Sequence, residues 1–241
     1  MSTAARARIS SMHVLDNPVW HALTGTHATV AERRGSAARY VPDVAVFAAM
    51  SDDTTAAGWD ALAALVGPAG LAFLARRDLT VPDSWTERVN VPCRQMWRRD
   101  PTAPAEPPAD PGLAFVTLGA ADVAQMLALV HRTRPGPFVT RTVELGTYLG
   151  VRDGDQLVAM AGERLHPPGF TEISVVCTDP AYRGRGLASR LVAAIVGGIR
   201  ARAETPFLHL TVDNDDAHRV YAALGFETRT FLSVVGVQAP G

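Results

Sequence analysis

A chain of 241 residues exceeds the usual single-domain size of about 100 to 150 residues and points to two compact units. Hydrophobic residues make up 47% and charged residues 20%, with the large apolar side chains spread along the whole length, which excludes an intrinsically disordered chain. The formal charge of −1 is shared evenly by the two halves, so neither carries the basic stripe that nucleic acid or an anionic membrane surface demands.

All 23 cationic side chains are arginine. With no lysine there is no internal ε-amine to be acylated or to form a Schiff base. Two cysteines, Cys93 and Cys177, cannot make a disulfide framework and fit a reducing compartment. Met1 to Leu15 holds Arg6 and Arg8 without a following apolar stretch of signal-peptide length, and the longest apolar helical run, Leu191 to Ile199, is far shorter than a membrane span. The expectation is a cytoplasmic protein with neither membrane nor nucleic acid as partner.

In chain order, Asn17-Pro18 reads as an N-cap followed by a first-turn proline, opening a helix through Trp20 and Leu23. Val44 to Met50 reads as a strand, Thr54 to Val66 as a helix closed by Gly67-Pro68, Gly70 to Ala75 as a strand and Trp85 to Trp97 as extended chain. His13, His21 and His27 are spaced irregularly and form no metal-ligand pattern. Pro101, Pro104, Pro107, Pro108 and Pro111 forbid helix and central strand, so residues 101–112 are expected to be a stiff linker between domains 1–100 and 113–241.

Beyond it the order is regular. The strand Ala114 to Leu118 and the helix Ala121 to His131 are followed by strands at Thr147 to Arg152 and Leu157 to Leu165, joined at the hairpin signal Asp153-Gly154-Asp155. A strand from Phe170 to Cys177, a helix from Gly184 to Arg202, a strand from Pro206 to Val212, a helix from Asn214 to Leu224 and a last strand from Phe226 to Val237 complete the chain. Such an order predicts a mixed sheet flanked by helices.

Two segments carry chemistry. The strand FTEISVVC enters a helix through Arg183-Gly184-Arg185-Gly186-Leu187-Ala188-Ser189. A glycine turn at a helix start gathers unpaired N–H groups and the positive end of the helix, which suits a pyrophosphate. The alternative is a turn that glycine merely softens. A Walker loop is excluded because it needs lysine, and a dinucleotide fingerprint needs glycine or alanine where Ser189 stands. The second segment, Asn214 to Phe226, starts with a capping residue and two acids and ends at Gly225. Ala217, Val220, Tyr221 and Leu224 fall at i, i+3, i+4 and i+7, so Tyr221 projects from the packed face.

Arg183-Gly184-Arg185-Gly186-Leu187-Ala188 is similar to the pyrophosphate signature R/Q-x-x-G-x-G/A of the GNAT superfamily of acetyl-CoA-dependent N-acetyltransferases. Asn214, Ala217, Tyr221 and Gly225-Phe226 resemble its second motif. The resemblance covers about residues 113 to 238 and is close from 170 to 226. It implies a twisted, mostly antiparallel α/β sheet flanked by helices, preceded by a smaller α/β domain whose element order is similar to a degenerate second copy without the signature arginine and glycines. It also implies acetyl-CoA as co-substrate, no metal, and an acceptor that is a small-molecule or peptide amine. A homodimer is an admitted assembly, and no motif encodes the oligomeric state.

The resemblance further assigns the backbone of Arg183, Gly184, Arg185, Gly186, Leu187, Ala188 and Ser189 to the pyrophosphate, and the main chain of Val176, Cys177 and Thr178 to pantetheine. Asn214 would contact pantetheine, cap its helix, or both. Tyr221 would protonate the departing thiolate, its alternative being packing alone. Glu172 is the favoured base, directly or through water. It lies eleven residues before Arg183, shares strand parity with Ser174, Val176 and Thr178, and is expected to have a raised pKa beside Ile173 and Val175. Glu163 and His209 are rivals. A CoA-binding sensor without catalysis is the competing function.

Overall fold

The structure, a computed structural model, describes residues 12–102 and 113–241. Pro104, Pro107, Pro108 and Pro111 of the expected linker, and the first eleven residues, lie outside the described residues.

The first half runs α1 (Pro18–Leu23), β1 (Ala31–Arg34), β2 (Ala37–Tyr40), β3 (Phe47–Met50), α2 (Ala56–Val66), β4 (Leu71–Arg76) and β5 (Thr86–Trp97). The second runs β6 (Ala114–Leu118), α3 (Val123–Thr133), β7 (Tyr148–Asp153), β8 (Gln156–Glu163), β9 (Phe170–Thr178), α4 (Leu187–Ala201), β10 (Thr205–Thr211), α5 (Asp215–Ala223) and β11 (Glu227–Gln238). Most elements fall within two or three residues of their sequence reading, because caps and breakers set them locally. Thr55 accepts a hydrogen bond from Gly58 N, and Gly67 closes the same helix at φ +79°. The β1–β2 hairpin was not foreseen: AERRGSAARY carries no apolar alternation, and Gly35 turns it at φ +52°.

Among the described residues all strands form one 11-stranded sheet in the order β1-β2-β3-β4-β11-β5-β10-β9-β8-β7-β6. It is mostly antiparallel and flanked by helices. Only β3–β4 and β9–β10 pair in parallel, each joined by a crossover helix, α2 and α4. The two halves of the chain interleave here. β5 lies between β10 and β11, and β11 lies between β5 and β4, so each half places its last strand beside the other half's parallel pair. Separate domains at 1–100 and 113–241 therefore stay a proposal about folding units within a shared sheet.

Helices α4 and α5 cover one face of the second half through Leu191, Ile195, Tyr221 and Leu224, packed on Val158, Ile173, Leu208 and Leu210. On the opposite face, α3 buries Met126 and Leu129 against Met160, Val175 and Cys177. Tyr148 lies over Gly162, its register partner, where any Cβ would overlap the ring. Gly162→Ala is expected to lower stability by about 1–3 kcal/mol through overpacking, seen as a lower denaturant midpoint. An unchanged midpoint would mean that the ring relaxes without cost.

Candidate active site

The parallel pairing of β9 and β10 runs from Phe170↔Thr205 only to Ile173↔Leu208. Beyond that the strands diverge, leaving the β9 edge from Ser174 to Thr178 facing a gap. The cause lies in β9. Between Gly162↔Ser174 and Met160↔Cys177 it carries one residue more than β8, and Val175 sits at φ +55°. A β-branched residue in the left-handed region is a strained position of the kind that clusters at functional sites. The two strands splay apart at this bulge.

The bulge also corrects the expected parity. Ile173 and Val176 pack with the α4 cluster, whereas Val175 and Cys177 pack with α3. Glu172 turns away from the α4 side towards Arg164 and His209, so it does not share a face with Val176. A one-residue insertion inverts every side chain that follows.

At the mouth of the gap the chain passes Arg183 and enters α4 through Gly184 (φ +80°) and Gly186 (φ +69°). Gly186 is the N-cap and offers no side-chain cap, so among the described residues no capping side chain meets the first amides of this 15-residue helix, from Leu187 to Ser189. Arg183 and Gly184 are exposed, and Arg185 stacks on the Tyr182 ring at 5.0 Å. An anion of pyrophosphate size fits this donor set.

Across the gap stands α5. Asn214 caps it, its side chain accepting from Ala217 N at 3.1 Å, with Asp215 and Asp216 in the first turn. Its far end is held by the first half: buried Arg98, just past β5, donates Nε to Leu224 O at 2.9 Å. Tyr221 is 9% exposed, among Ile173, Leu187 and Leu210. Burial, then the nearby Cys177 thiol, push the phenol pKa upward, so the hydroxyl keeps its proton. Burial likewise lifts the Cys177 thiol to about 11, which makes it lining rather than nucleophile.

Glu172 departs from expectation. It is fully buried, and burial alone would raise its pKa. Two charge-assisted hydrogen bonds from Arg164, at 2.8 and 2.9 Å, and one from His209 Nδ1 at 2.7 Å overcome that and hold it at about 2. The apolar neighbours weighed in the sequence are outvoted by a partner eight residues away. Glu163 is also committed, accepting from Arg202 at 2.9 Å and from Thr147 N at 3.1 Å. Arg164 was missed; the only hint was a charged pair, Glu163-Arg164, closing an apolar strand.

The first half walls the α3 side. Arg141 N donates to Asp43 O and Thr142 Oγ1 to Val44 O, both at 2.8 Å. A narrow apolar crevice runs between Ala45–Phe47 and Pro137–Val139, with Thr142 and Arg164 also lining it. The first half's own parallel pair also ends early, at Ala48↔Leu74, but side chains occupy the corner beyond it. Arg76 donates to Ser51 O and Asp52 O, both at 3.1 Å, and to Thr54, while Asn17 fills the same corner through Met50 O at 2.8 Å.

No cluster of three or more His, Cys, Asp or Glu side chains suited to a metal occurs among the described residues, and no described helix is long and apolar enough to cross a membrane.

Residues 148–233 match the family described as FR47-like protein. The N-alpha-acetyltransferase RimI of Mycobacterium tuberculosis is 36% identical over 99 residues, which are 38% of this chain and 61% of that protein. A mycothiol acetyltransferase of Corynebacterium glutamicum is 39% identical over 75 residues, 31% of this chain and 26% of that one. The chain thus spans less than two thirds of either curated relative. A crystal structure of a GNAT-family protein from Novosphingobium aromaticivorans is 36% identical, covers 95% of this chain and 100% of its own, and superposes with a TM-score of 0.84. Likeness to such a relative over its whole length, at more than a third identity, places the chain in the GNAT family of acetyltransferases.

Proposed function

We propose that this protein transfers the acetyl group of acetyl-CoA to a primary amine by direct attack within a ternary complex. The observation that carries the reading is the uncapped N-terminus of α4, opened by two left-handed glycines at the mouth of the gap. Backbone amides from Arg183 to Ser189 would hold the pyrophosphate, and the edge of Val176, Cys177 and Thr178 would pair with pantetheine as a missing strand does. The Val176 amide would donate to the thioester oxygen as negative charge develops there. Asn214 would touch pantetheine from its capping position.

Chemically, the amine nitrogen forms a bond to the carbonyl carbon, the carbon–sulfur bond breaks, and Tyr221 gives its proton to the sulfur. The nitrogen sheds its surplus proton to water, from which the phenol is replenished. Glu172 enters this scheme as a carboxylate that stays ionised and orients its neighbours; a base of raised pKa is set aside. The two free, buried cysteines support a reducing, cytoplasmic setting. The α-amine of peptides, after the N-alpha-acetyltransferase relative, and small amines are the acceptors to test.

Calorimetry with CoA should show one site per chain, because Arg76 and Asn17 fill the equivalent corner of the first half. Gly186→Val, which puts a β-branched residue at φ +69°, should weaken that binding about 100-fold or more. Thiol release should follow when an amine is added. No affinity for CoA sinks the reading, and tight binding without turnover across the panel favours a sensor.

A further inference from the structure

The α3 side of the gap holds a chain of buried hydrogen bonds that begins outside the second half. Asp16, preceding α1, accepts from Arg229 of β11 at 2.7 Å. Arg229 donates to Gln95 Oε1 at 2.8 Å, and Gln95 Nε2 lies 2.8 Å from Leu15 O and 2.9 Å from His209 Nε2. His209 Nδ1 lies 2.7 Å from Glu172 Oε1. Gln95 and Glu172 are fully buried, and the side chain of His209 is 7% exposed.

The neighbours fix every proton in this chain. Arginine only donates, so the Gln95 atom facing Arg229 is the carbonyl oxygen; a main-chain carbonyl only accepts, so the atom facing Leu15 O is the amide nitrogen. The second hydrogen of that nitrogen points at His209 Nε2, which must therefore offer a lone pair. Nδ1 then carries the ring proton and donates it to Glu172, which is ionised against Arg164. All links run one way, Arg229 to Gln95 to His209 to Glu172, and unidirectional chains of this kind reinforce one another. Tyr40, Tyr148, Cys93 and His166 are further titratable groups that feel Glu172, and His13 feels Arg229 and Asp16 at the other end of the chain.

We infer that Gln95, held by Arg229, is a positioning residue that locks His209 as the neutral Nδ1–H tautomer and thereby fixes the Glu172 carboxylate at the apex of the gap. His209 pairs with Gln95 in the sheet, one step beyond the last β9–β10 partners, Ile173 and Leu208. The first half thus supplies, through β5, a residue that sets the protonation state beside the reacting groups. The lock also removes His209 as a base, since its only lone pair is taken. The link to turnover rests on the acetyl transfer proposed above; the tautomer does not.

The test is the ¹⁵N spectrum of the full-length protein with labelled histidine, the His209 signals being those lost in His209→Asn. The parent is expected to show a neutral ring protonated at Nδ1. Gln95→Glu keeps an acceptor for Arg229 but presents an oxygen to Nε2, so the ring should become an imidazolium at neutral pH. With it kcat should fall about 10- to 100-fold, while the KM for acetyl-CoA stays within about twofold. Gln95→Leu, which offers no acceptor, should leave the ring neutral. A parent ring protonated at Nε2, or a ring unmoved by Gln95→Glu, overturns the inference. If that variant does not fold, the parent spectrum alone decides. Absence of CoA binding by calorimetry would instead sink the acetyl transfer and leave the spectra to judge the tautomer.

Discussion

Tyr221→Phe should lower turnover by about 10²- to 10⁴-fold, the usual worth of a positioned general acid, with CoA affinity held within about twofold. The ring lies inside the α4–α5 cluster, edge-on to Phe226 at 6.0 Å, so phenylalanine preserves the packing and deletes one hydroxyl. The raised phenol pKa keeps that hydroxyl protonated across the neutral range. The rate should therefore show no alkaline decline attributable to Tyr221 below about pH 10, the ordinary value for tyrosine. Single-turnover thiol release separates the chemical step from binding. Equal rates for parent and variant would reduce Tyr221 to a packing residue and move the proton donor to solvent.

The second large effect is on stability. Arg164→Met should destabilise the fold by about 3–5 kcal/mol, because it leaves the fully buried Glu172 carboxylate without its cation. The cation–π contact of Arg164 with Phe47, at 4.9 Å, is lost as well. Acid titration distinguishes this cause from a simple packing defect. In the parent, Glu172 titrates near 2 when folded against 4.5 for the reference group, so the unfolded chain binds the proton first. Its contribution is present above about pH 4.5 and is lost as the pH falls towards 2, amounting to about 3 kcal/mol.

In the variant burial dominates and the folded carboxyl titrates above the unfolded one. Stability should then rise on acidification from pH 7 towards 5, where the parent stays level in this contribution. Arg164→Met/Glu172→Gln should recover much of the loss. Denaturant midpoints measured at pH 7 and pH 5 read both effects, and a midpoint of Arg164→Met that does not rise on acidification would show that Glu172 is relieved by water instead.

Much of the site was legible because its signals are local. The glycines at 184 and 186, the Asn214 cap and the i, i+3, i+4, i+7 face of Tyr221 each act within one or two turns of chain, and the structure places them at the mouth and the wall of one gap. Glu172 shows the opposite. Its position was readable, but its charge state was inferred from apolar neighbours along the strand, when what decides it is Arg164 on the next strand's end and His209 across the gap. The parity of β9 failed for a related reason: nothing in ISVVC distinguishes a strand that carries an extra residue from one that does not until β8 lies beside it.

The sequence by itself determined the family, the mixed α/β order and the glycine-opened turn at the start of α4, because capping, helical periodicity and glycine torsions depend on residues close together in the chain. Only the tertiary structure decided that β5 and β11 change places between the halves, that Arg98 and Gln95 of the first half reach Leu224 and His209 of the second, and that Glu172 is an ion-paired anion. Strand order and buried charge pairing are set by partners far apart in sequence. Their energies depend on distance and on the exclusion of water, neither of which a linear order of residues records.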